Sequence, residues 1–390
     1  MASNSREAPM DFTLPEHVEA LRQEVRKFAE KEIRPHVMEW DESKTYPMDV
    51  IKRLGEMGML GVIFPEEYGG AGMGYIEYAV VIEELSRVCG SVGISVAAHN
   101  SLCSNHIYSM GNEAQKQKYL KPLASGKAIG AWGLTEPGAG SDASAQLTTA
   151  RKDGNHYILN GTKNFITHGT VGDIAVVMAR TSPGKGTDGI SAFILEKGMP
   201  GFRAGKQENK LGLRASDTSE LIMEDVQVPA ENMLGEEGVG FRQAMNTLDG
   251  GRISIGALAL GMAQGAYEAS VKYSKIRHTF GKPLSGHQAI QFKLADMAVQ
   301  IEAARLLIYQ AANLKDQGLP YAKAASMAKL FSSEIACKVA DEAVQIHGGY
   351  GYIKDYPVEK YYRDVKLCTI GEGTSEIQRT VIARYILKEF

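Results

Sequence analysis

Cysteine is scarce in this 390-residue chain, and the few cysteines stand far apart. They form no CxxC pair; the four are Cys89, Cys103, Cys337 and Cys368. Scattered cysteines argue against a zinc site and against a disulfide scaffold, and they fit a reducing compartment. We therefore expect no metal ion in the functional site.

The chain also has no large excess of positive or negative charge, because its formal net charge is only −3. Without a surplus of lysine and arginine, nothing predicts binding to nucleic acid or to an anionic membrane surface. No window reaches the apolar length of a membrane span, and residues 1–9 lack the apolar core of a signal peptide. The cytoplasm is the expected location, with the mitochondrial matrix as the alternative if a transit segment has been removed.

The length and the changes in periodicity predict three domains. The chain is too long for one core, and its apolar fraction of 44% is typical of a soluble globular protein. Residues 1–128 show helical periodicity, residues 129–240 show short strands separated by turns, and residues 241–390 return to long helices. We expect an N-terminal α-helical domain, a central β-sandwich or barrel and a C-terminal four-helix bundle. Within the β domain, Asn160-Gly161 predicts a hairpin turn.

One carboxylate near the C-terminus stands in a setting suited to catalysis. Glu372 lies between Gly371 and Gly373, which allow the backbone to approach a ligand closely. Thr374 or Ser375 can cap the helix that follows, so that the donor end of the helix faces the same space. In an apolar setting such a carboxylate has a raised pKa and can act as a base. The alternative is a glycine turn with an exposed glutamate.

Two further glycine-rich segments could bind a ligand. The Rossmann fingerprint and the P-loop are both absent, so a usual nicotinamide or nucleoside-triphosphate site is not expected. Residues 131–142 carry hydroxyls at Thr135 and Ser141 beside unhindered amides, which suit a polar planar ring or an anion. Residues 345–352 offer backbone amides to a phosphate. The alternatives are a structural loop for the first segment and a helix C-cap at Gly348 for the second.

Six segments, in the same order and over nearly the whole chain, resemble the acyl-CoA dehydrogenase family, and most closely its short-chain (butyryl) branch. They are residues 134–142, 160–167, 210–216, Arg277 with 280–281 and Gln288, 345–351 and 372–376. The resemblance implies an α–β–α fold, which the periodicity predicts independently.

The resemblance implies FAD as the cofactor, with its flavin ring against a wall of the β domain. Thr135 would hydrogen-bond the ring, and Ser141 would stand at the boundary between flavin and substrate. From the same subunit, Thr374, Ser375 and Glu376 would also contact FAD. The implied wall residues are Trp132, Leu134, Thr135, Gly140, Ser141, Phe165, Ile166 and Thr167.

A neighbouring subunit is implied to complete the FAD site, in a homotetramer built as a dimer of dimers. The residues implied to hold the pyrophosphate and adenosine are Arg277, Phe280, Gln288, Gln345, Ile346, His347, Gly348 and Gly349. His347 itself is expected to be packed or solvent-facing rather than catalytic.

The implied substrate is an acyl-CoA thioester. The residues implied to contact it are Ser141, Asp249, Gly250, Gly251, Arg252 and Gly373. Without the resemblance, Asp249 and Arg252 would form an ordinary i,i+3 helix contact.

The implied reaction is an α,β-dehydrogenation to the trans-2-enoyl-CoA, as in fatty acid β-oxidation. Glu372 would remove the α-proton while the flavin accepts the β-hydride, and the Glu372 amide with an FAD hydroxyl would stabilise the enolate. In one branch of the family the base stands at the position of Gly251, which cannot serve. Electrons would pass to an electron-transfer flavoprotein. The alternatives are an acyl-CoA oxidase that uses oxygen, or a non-catalytic flavin- or acyl-CoA-binding scaffold, against which the intact Glu372 counts.

Two positions depart from the family pattern. Gly371 stands where much of the family has tyrosine. Without that ring, the sequence allows a substrate with a short, a medium-length or a branched acyl chain. His168 stands where asparagine is commoner.

Overall fold

The structure is a computed structural model that describes residues 13–184 and 186–389. Its N-terminal part is helical, as predicted. In α1 the apolar Val18, Val25 and Phe28 recur on one buried face, with acidic residues in the first turn and basic residues in the last, which suits the helix dipole. The helices are α1 (Glu16–Phe28), α2 (Val37–Ser43), α3 (Met48–Glu56), α4 (Tyr75–Val88), α5 (Gly90–Ala98), α6 (Asn105–Met110), α7 (Glu113–Gln115) and α8 (Lys121–Ala124).

The middle part forms one sheet of eight strands. The strands are β1 (Gly130–Gly133), β2 (Thr149–Asp153), β3 (His156–Thr167), β4 (Ile174–Arg180), β5 (Ile190–Glu196), β6 (Phe202–Gln207), β7 (Thr218–Pro229) and β8 (Met233–Leu234). Their order is β6-β7-β3-β2-β4-β5-β8, with β1 parallel to β4. Tyr157 on β3 meets Phe193 on β5 at a ring distance of 5.0 Å, although these strands are not neighbours in the sheet. The sheet therefore curls around its own core, as in a sandwich or barrel.

The predicted hairpin turn at Asn160-Gly161 is wrong. Strand β3 continues through both residues, and its pairing with β7 shifts between Leu159 and Gly161. Gly161 has φ +148, and a Cβ there would lie 2.4 Å from the Thr148 hydroxyl, so this glycine serves a bulge rather than a turn. The turn between β2 and β3 instead lies at residues 154–155, because Asp153 pairs with His156.

Long helices return in the C-terminal part, which confirms the predicted bundle. They are α9 (Gly240–Ile276), α10 (Gln288–Asp316), α11 (Ala322–His347), α12 (Val358–Asp364) and α13 (Ser375–Glu389), with a small hairpin of β9 (His278–Thr279) and β10 (Lys282–Pro283). One apolar core extends from Val25 on α1 through Leu258 on α9 to Cys368, so the two helical parts share it. No helix in the described ranges is both long and apolar enough to cross a membrane.

Candidate active site

Glu372 lies in a tight turn just before α13. Its φ is +52 and that of Gly373 is +95, so two successive residues adopt left-handed backbone. The hydroxyl of Thr374 accepts a hydrogen bond of 3.3 Å from the Ile377 amide, which caps α13. Of the two predicted capping residues, Thr374 is therefore the one that caps the helix. The turn directs the Glu372 side chain away from α13 and toward α9.

The Glu372 carboxylate packs against the middle of α9. A Cβ at Gly251 would lie 1.9 Å from Oε2 of Glu372, so the carboxylate occupies the space that a side chain at 251 would need. Oε2 is buried and has no hydrogen-bond partner among the described residues. Burial raises the pKa of Glu372 to about 7, while Lys329 and Arg252 oppose the shift. A buried, unpaired carboxylate that titrates near neutral pH is suited to accept a proton.

Two residues outside the predicted set hold this turn. Lys329 on α11 donates from Nζ to the Gly373 carbonyl at 2.6 Å. Gln378 on α13 donates from Nε2 to the carbonyls of Glu372 (3.2 Å) and Gly373 (3.0 Å). The sequence carries little signal for Lys329, which is one of three lysines among the small and apolar residues of α11.

Asp249 and Arg252 form an ion pair on α9 beside the carboxylate. Nη1 of Arg252 also donates to the Ser326 hydroxyl at 3.3 Å, whereas its buried Nε has no partner among the described residues. Burial raises the pKa of Asp249, and the charges of Arg252 and Lys315 oppose the shift. A Cβ at Gly250 would lie 3.5 Å from Nζ of Lys315, so these charges surround the same turn of α9. Gly251 therefore lies against the Glu372 carboxylate, and Asp249, Gly250 and Arg252 belong to the same turn of α9.

The predicted wall residues lie together at β1, the loop after it and the end of β3. The Asn164 amide donates to the Thr135 carbonyl at 2.8 Å, which joins the loop to β3. Trp132 donates from its indole to Nδ1 of His106 at 3.0 Å. Phe165 has φ +60 and is 64% exposed, and no atom lies within 4 Å of a Cβ built at Gly140. This surface combines polar backbone groups with an exposed aromatic ring.

A buried ion pair lies behind this wall. Nζ of Lys163 donates to Glu136 (2.7 Å), to Gln146 (2.9 Å) and to the Leu134 carbonyl (3.2 Å). Burial lowers the pKa of Lys163 to about 8, and the Glu136 charge opposes the shift. Glu136 in turn accepts the backbone amide of Thr148 at 2.9 Å. The lysine therefore satisfies its three donors and ties both ends of the loop to β3.

His168, which follows the wall, has a structural contact. Its Nδ1 lies 3.0 Å from the Gly130 carbonyl at the start of β1. The ring is buried, burial lowers its pKa, and Nε2 has no partner among the described residues. A neutral ring that donates from Nδ1 therefore connects the start of β1 to the end of β3.

Five of the eight residues predicted for a neighbouring subunit's FAD line a surface cavity of about 450 Å³. Its lining includes Arg277, Ile346, His347, Gly348 and Gly349. His347 is buried and stacks on Tyr273 at a ring distance of 4.2 Å, so of the two expected placements it is the packed one. The remaining predicted residues do not line the cavity: Phe280, 97% exposed, follows β9, Gln288 opens α10, and Gln345 is exposed on α11.

Most of the predicted residues thus fall into three groups: the wall, the Glu372 turn with residues 249–252, and the surface cavity, whose lining leaves out Phe280, Gln288 and Gln345. Ser375 is buried and Glu376 exposed in the first turn of α13, which continues the Glu372 group. Across the described residues, no hydrogen bond, ion pair or ring contact joins one group to another.

Three domain models of one protein family match most of the chain. Residues 15–127 match the acyl-CoA dehydrogenase N-terminal domain. Residues 131–226 match the middle domain, and residues 238–387 match the C-terminal domain of the same family. Among curated proteins, the chain is 53% identical to the short-chain-specific acyl-CoA dehydrogenase of Clostridium acetobutylicum, over 97% of this chain and 100% of the relative.

Solved structures share the fold along the chain. A chain from a structure described as the electron transferring flavoprotein of Acidaminococcus fermentans is 54% identical, with a TM-score of 0.96 over 97% of this chain and 100% of that one. Butyryl-CoA dehydrogenase from Megasphaera elsdenii is 49% identical, with a TM-score of 0.95 over the same shares. A glutaryl-CoA dehydrogenase from Mycobacterium smegmatis in complex with FADH2 is 35% identical, with a TM-score of 0.91 over 96% of this chain and 95% of that chain.

Proposed function

The chain belongs to the acyl-CoA dehydrogenase family, and we propose that it oxidises a short-chain saturated acyl-CoA to the trans-2-enoyl-CoA with Glu372 as the base. The family and its short-chain branch are confirmed by the relatives at 53% and 49% identity, and with them the enzyme class, an oxidoreductase. The proposal extends this to the substrate and the residues of this chain.

The observation that carries the proposal is the position of the Glu372 carboxylate beside Gly251: its Oε2 is buried, although the residue as a whole is half-buried. An α-proton of a thioester is only weakly acidic, so its removal needs a base whose pKa lies near the working pH. Burial raises the pKa of Glu372 to about 7, which meets this need. The α9 position next to it is Gly251, so no side chain at position 251 competes with Glu372 for this space, and the nearby Asp249 carboxylate is paired with Arg252. Arg252 lies close enough to favour its ionised form.

FAD is the proposed cofactor, and the residues of two groups fit it. The wall offers the exposed ring of Phe165, whose neighbour Asn164 bonds the Thr135 carbonyl, and an exposed Ser141 on the same loop as Thr135, which suits a planar polar ring. The surface cavity offers Arg277 and the open backbone of residues 348–349, since nothing lies within 4 Å of a Cβ at either glycine. Such groups suit a diphosphate. Bound FAD would supply the hydride acceptor for the β-carbon.

The size of the acyl group depends on the space beside the base. A Cβ at Gly371 would meet its nearest atom, the Leu367 carbonyl oxygen, at 3.6 Å, which is ordinary contact. Position 371 therefore has room for a side chain that this sequence does not supply. A short straight acyl chain is the proposed substrate, because the names of the relatives in this branch state a short-chain or butyryl-CoA specificity. Medium and branched chains are the alternatives that a thioester panel would test.

An electron-transfer flavoprotein is the proposed electron acceptor. The support is the 54% identity to a chain from a structure described as an electron transferring flavoprotein. The homotetramer, the domain limits at residues 128 and 240, and the cytoplasmic location stay predictions.

The test compares the wild-type holoenzyme with Glu372→Gln. Glutamine keeps the shape of the side chain but cannot accept the proton, so turnover of butyryl-CoA should fall by about 10²–10⁴-fold while the yellow flavin and ligand binding persist. Rapid bleaching of the wild-type flavin by butyryl-CoA, with negligible peroxide in air, would favour the dehydrogenase over the oxidase. Full activity in Glu372→Gln would refute the base assignment, and a thioester panel with an artificial acceptor would identify the chain length.

A further inference from the structure

One buried lysine outside the predicted residues contacts the turn that carries Glu372. Lys329 on α11 is 0% exposed, and its Nζ donates to the Gly373 carbonyl at 2.6 Å. An ammonium group is costly to bury unless an acceptor and an opposite charge compensate for the lost hydration. Gly373 supplies the acceptor, and the neighbouring Glu372 supplies the opposite charge.

The contacted turn is strained and is held at its carbonyl groups. Left-handed backbone crowds the Cβ of a non-glycine residue, and Glu372 adopts it at φ +52. Gln378 fixes the carbonyls of Glu372 and Gly373 from α13, and Lys329 fixes the Gly373 carbonyl from α11. The strained turn is thus tied to two helices, and this arrangement aims the carboxylate at Gly251.

Charged and titratable groups face the Glu372 carboxylate from three helices. Lys329 on α11 and Arg252 on α9 oppose the effect of burial, which raises the pKa of Glu372 to about 7. The phenol of Tyr78 on α4 faces the same carboxylate. Burial lowers the pKa of Lys329 to about 8, so the lysine keeps its charge at neutral pH. The groups that face Lys329 in turn are Cys368, Glu372, Arg252 and Glu376.

We propose that Lys329 is a positioning residue for the reaction: its hydrogen bond to Gly373 holds the Glu372 turn, and its buried ammonium group stabilises the ionised form of the Glu372 carboxylate. The inference rests on the proposed function, in which Glu372 removes the α-proton. Lys329 acts through Glu372 and Gly373 and takes no proton from the substrate itself.

The test is the pH profile of kcat/KM for butyryl-CoA, measured on holoenzyme with an artificial electron acceptor. Glu372 must be ionised to accept a proton, so wild-type kcat/KM should fall as the pH drops below about 7. Lys329→Gln keeps a donor for Gly373 but removes the positive charge. The acidic limb of the kcat/KM profile, where activity falls as the pH drops, should therefore shift to a pH about one unit higher. Lys329→Met removes the donor as well, and kcat at the optimum should fall by a further factor of about ten.

Lys360 provides a matched control because it is also a buried lysine, paired with Asp364 on its own helix α12. Lys360→Gln should lower Tm while the acidic limb stays at the wild-type pH. The proposal is overturned if Lys329→Gln folds and binds FAD but the acidic limb of its kcat/KM profile lies at the wild-type pH. If that variant does not fold, an unmoved limb in Lys329→Met overturns it. A failure of the proposed function can be distinguished from a failure of this inference, because in the first case Glu372→Gln would itself keep its turnover.

Discussion

The chemistry of single residues in this site depends on how little space surrounds one carboxylate. Glu372 has an unpartnered buried oxygen because its neighbour on α9 is Gly251, whose missing side chain leaves the space that the carboxylate fills. The same burial raises the pKa of Glu372 to about 7. The absence of a side chain at Gly251 thus determines both the position of the Glu372 carboxylate and its pKa.

Gly251→Ala tests this dependence. The added methyl group would lie 1.9 Å from Oε2 of Glu372, so the carboxylate must move. A displacement of this kind should lower kcat by about 10²-fold. Alanine is a better helix former than glycine, so α9 itself should not be weakened. The measurement is kcat for butyryl-CoA beside Tm for the same variant.

Gly256→Ala on the same helix α9 is the comparison variant, since Gly256 lies outside the predicted site and its methyl group would meet its nearest atoms, on Ile308 and Ser332, at 3.3 Å rather than 1.9 Å. Its effect on kcat should be much smaller than that of Gly251→Ala. Equal losses in the two variants would show that space beside the carboxylate does not matter.

Elements of the β domain are held together behind the wall by one buried ion pair. Lys163 projects from β3, and Glu136 belongs to the loop after β1. Both side chains are almost fully buried, so each charge depends on the other and on the backbone groups around it. This pair therefore determines the path of residues 134–148, on which the proposed flavin contacts lie.

Glu136→Gln tests this role at the level of the loop. The variant leaves the Lys163 ammonium buried without a counter-charge, which should cost about 3–5 kcal/mol of unfolding free energy. Because the loop carries Thr135 and Ser141, the FAD content of the purified protein should fall as well. Denaturant unfolding and the flavin absorbance per chain are the two measurements.

Glu224→Gln on β7 is the matched control, because it breaks the exposed pair of Glu224 and Arg203 in the same domain. That change should cost less than about 1 kcal/mol. A similar cost for both variants would mean that burial adds nothing to the Lys163 pair.

The whole molecule leaves part of its predicted cofactor site on the surface. The cavity of about 450 Å³ lies at the ends of α9 and α11, and Phe280 beside it is 97% exposed. Aromatic residues are enriched in the interfaces of protein assemblies, so Phe280 is a suitable position at which to test for a contact between chains. The homotetramer stays a prediction, in which this cavity would meet the FAD of a neighbouring chain.

Light scattering after gel filtration should show a mass of four chains for the holoenzyme. Phe280→Ala should shift the mass toward smaller assemblies on dilution and release FAD in parallel, because the ring contributes to the contact and to the site. A monomer that retains its FAD would contradict the shared site. The far-UV circular dichroism of the variant should match the wild type, since an exposed side chain supports no core.

Much of the fold could be predicted from local patterns. The helices α9, α10 and α11 and the strands β4, β5 and β7 arise where apolar residues recur at the helical or the strand period, because this period depends only on backbone geometry. The Asn160-Gly161 turn was mispredicted because the same dipeptide suits a bulge, and only the pairing of β3 with β7 decides between them. Pairing partners lie far apart in sequence and leave no local trace.

The sequence by itself determined which residues could carry the chemistry: one carboxylate between glycines, a hydroxyl-rich loop and a glycine segment that ends a helix. Only the tertiary structure decided that Glu372 is buried against Gly251, that Lys329 and Gln378 hold its turn, and that Lys163 ties the wall to β3. The reason is physical. Burial and charge set the pKa of Glu372, and both depend on α9 and α11, which are distant in sequence and adjacent only in the folded chain.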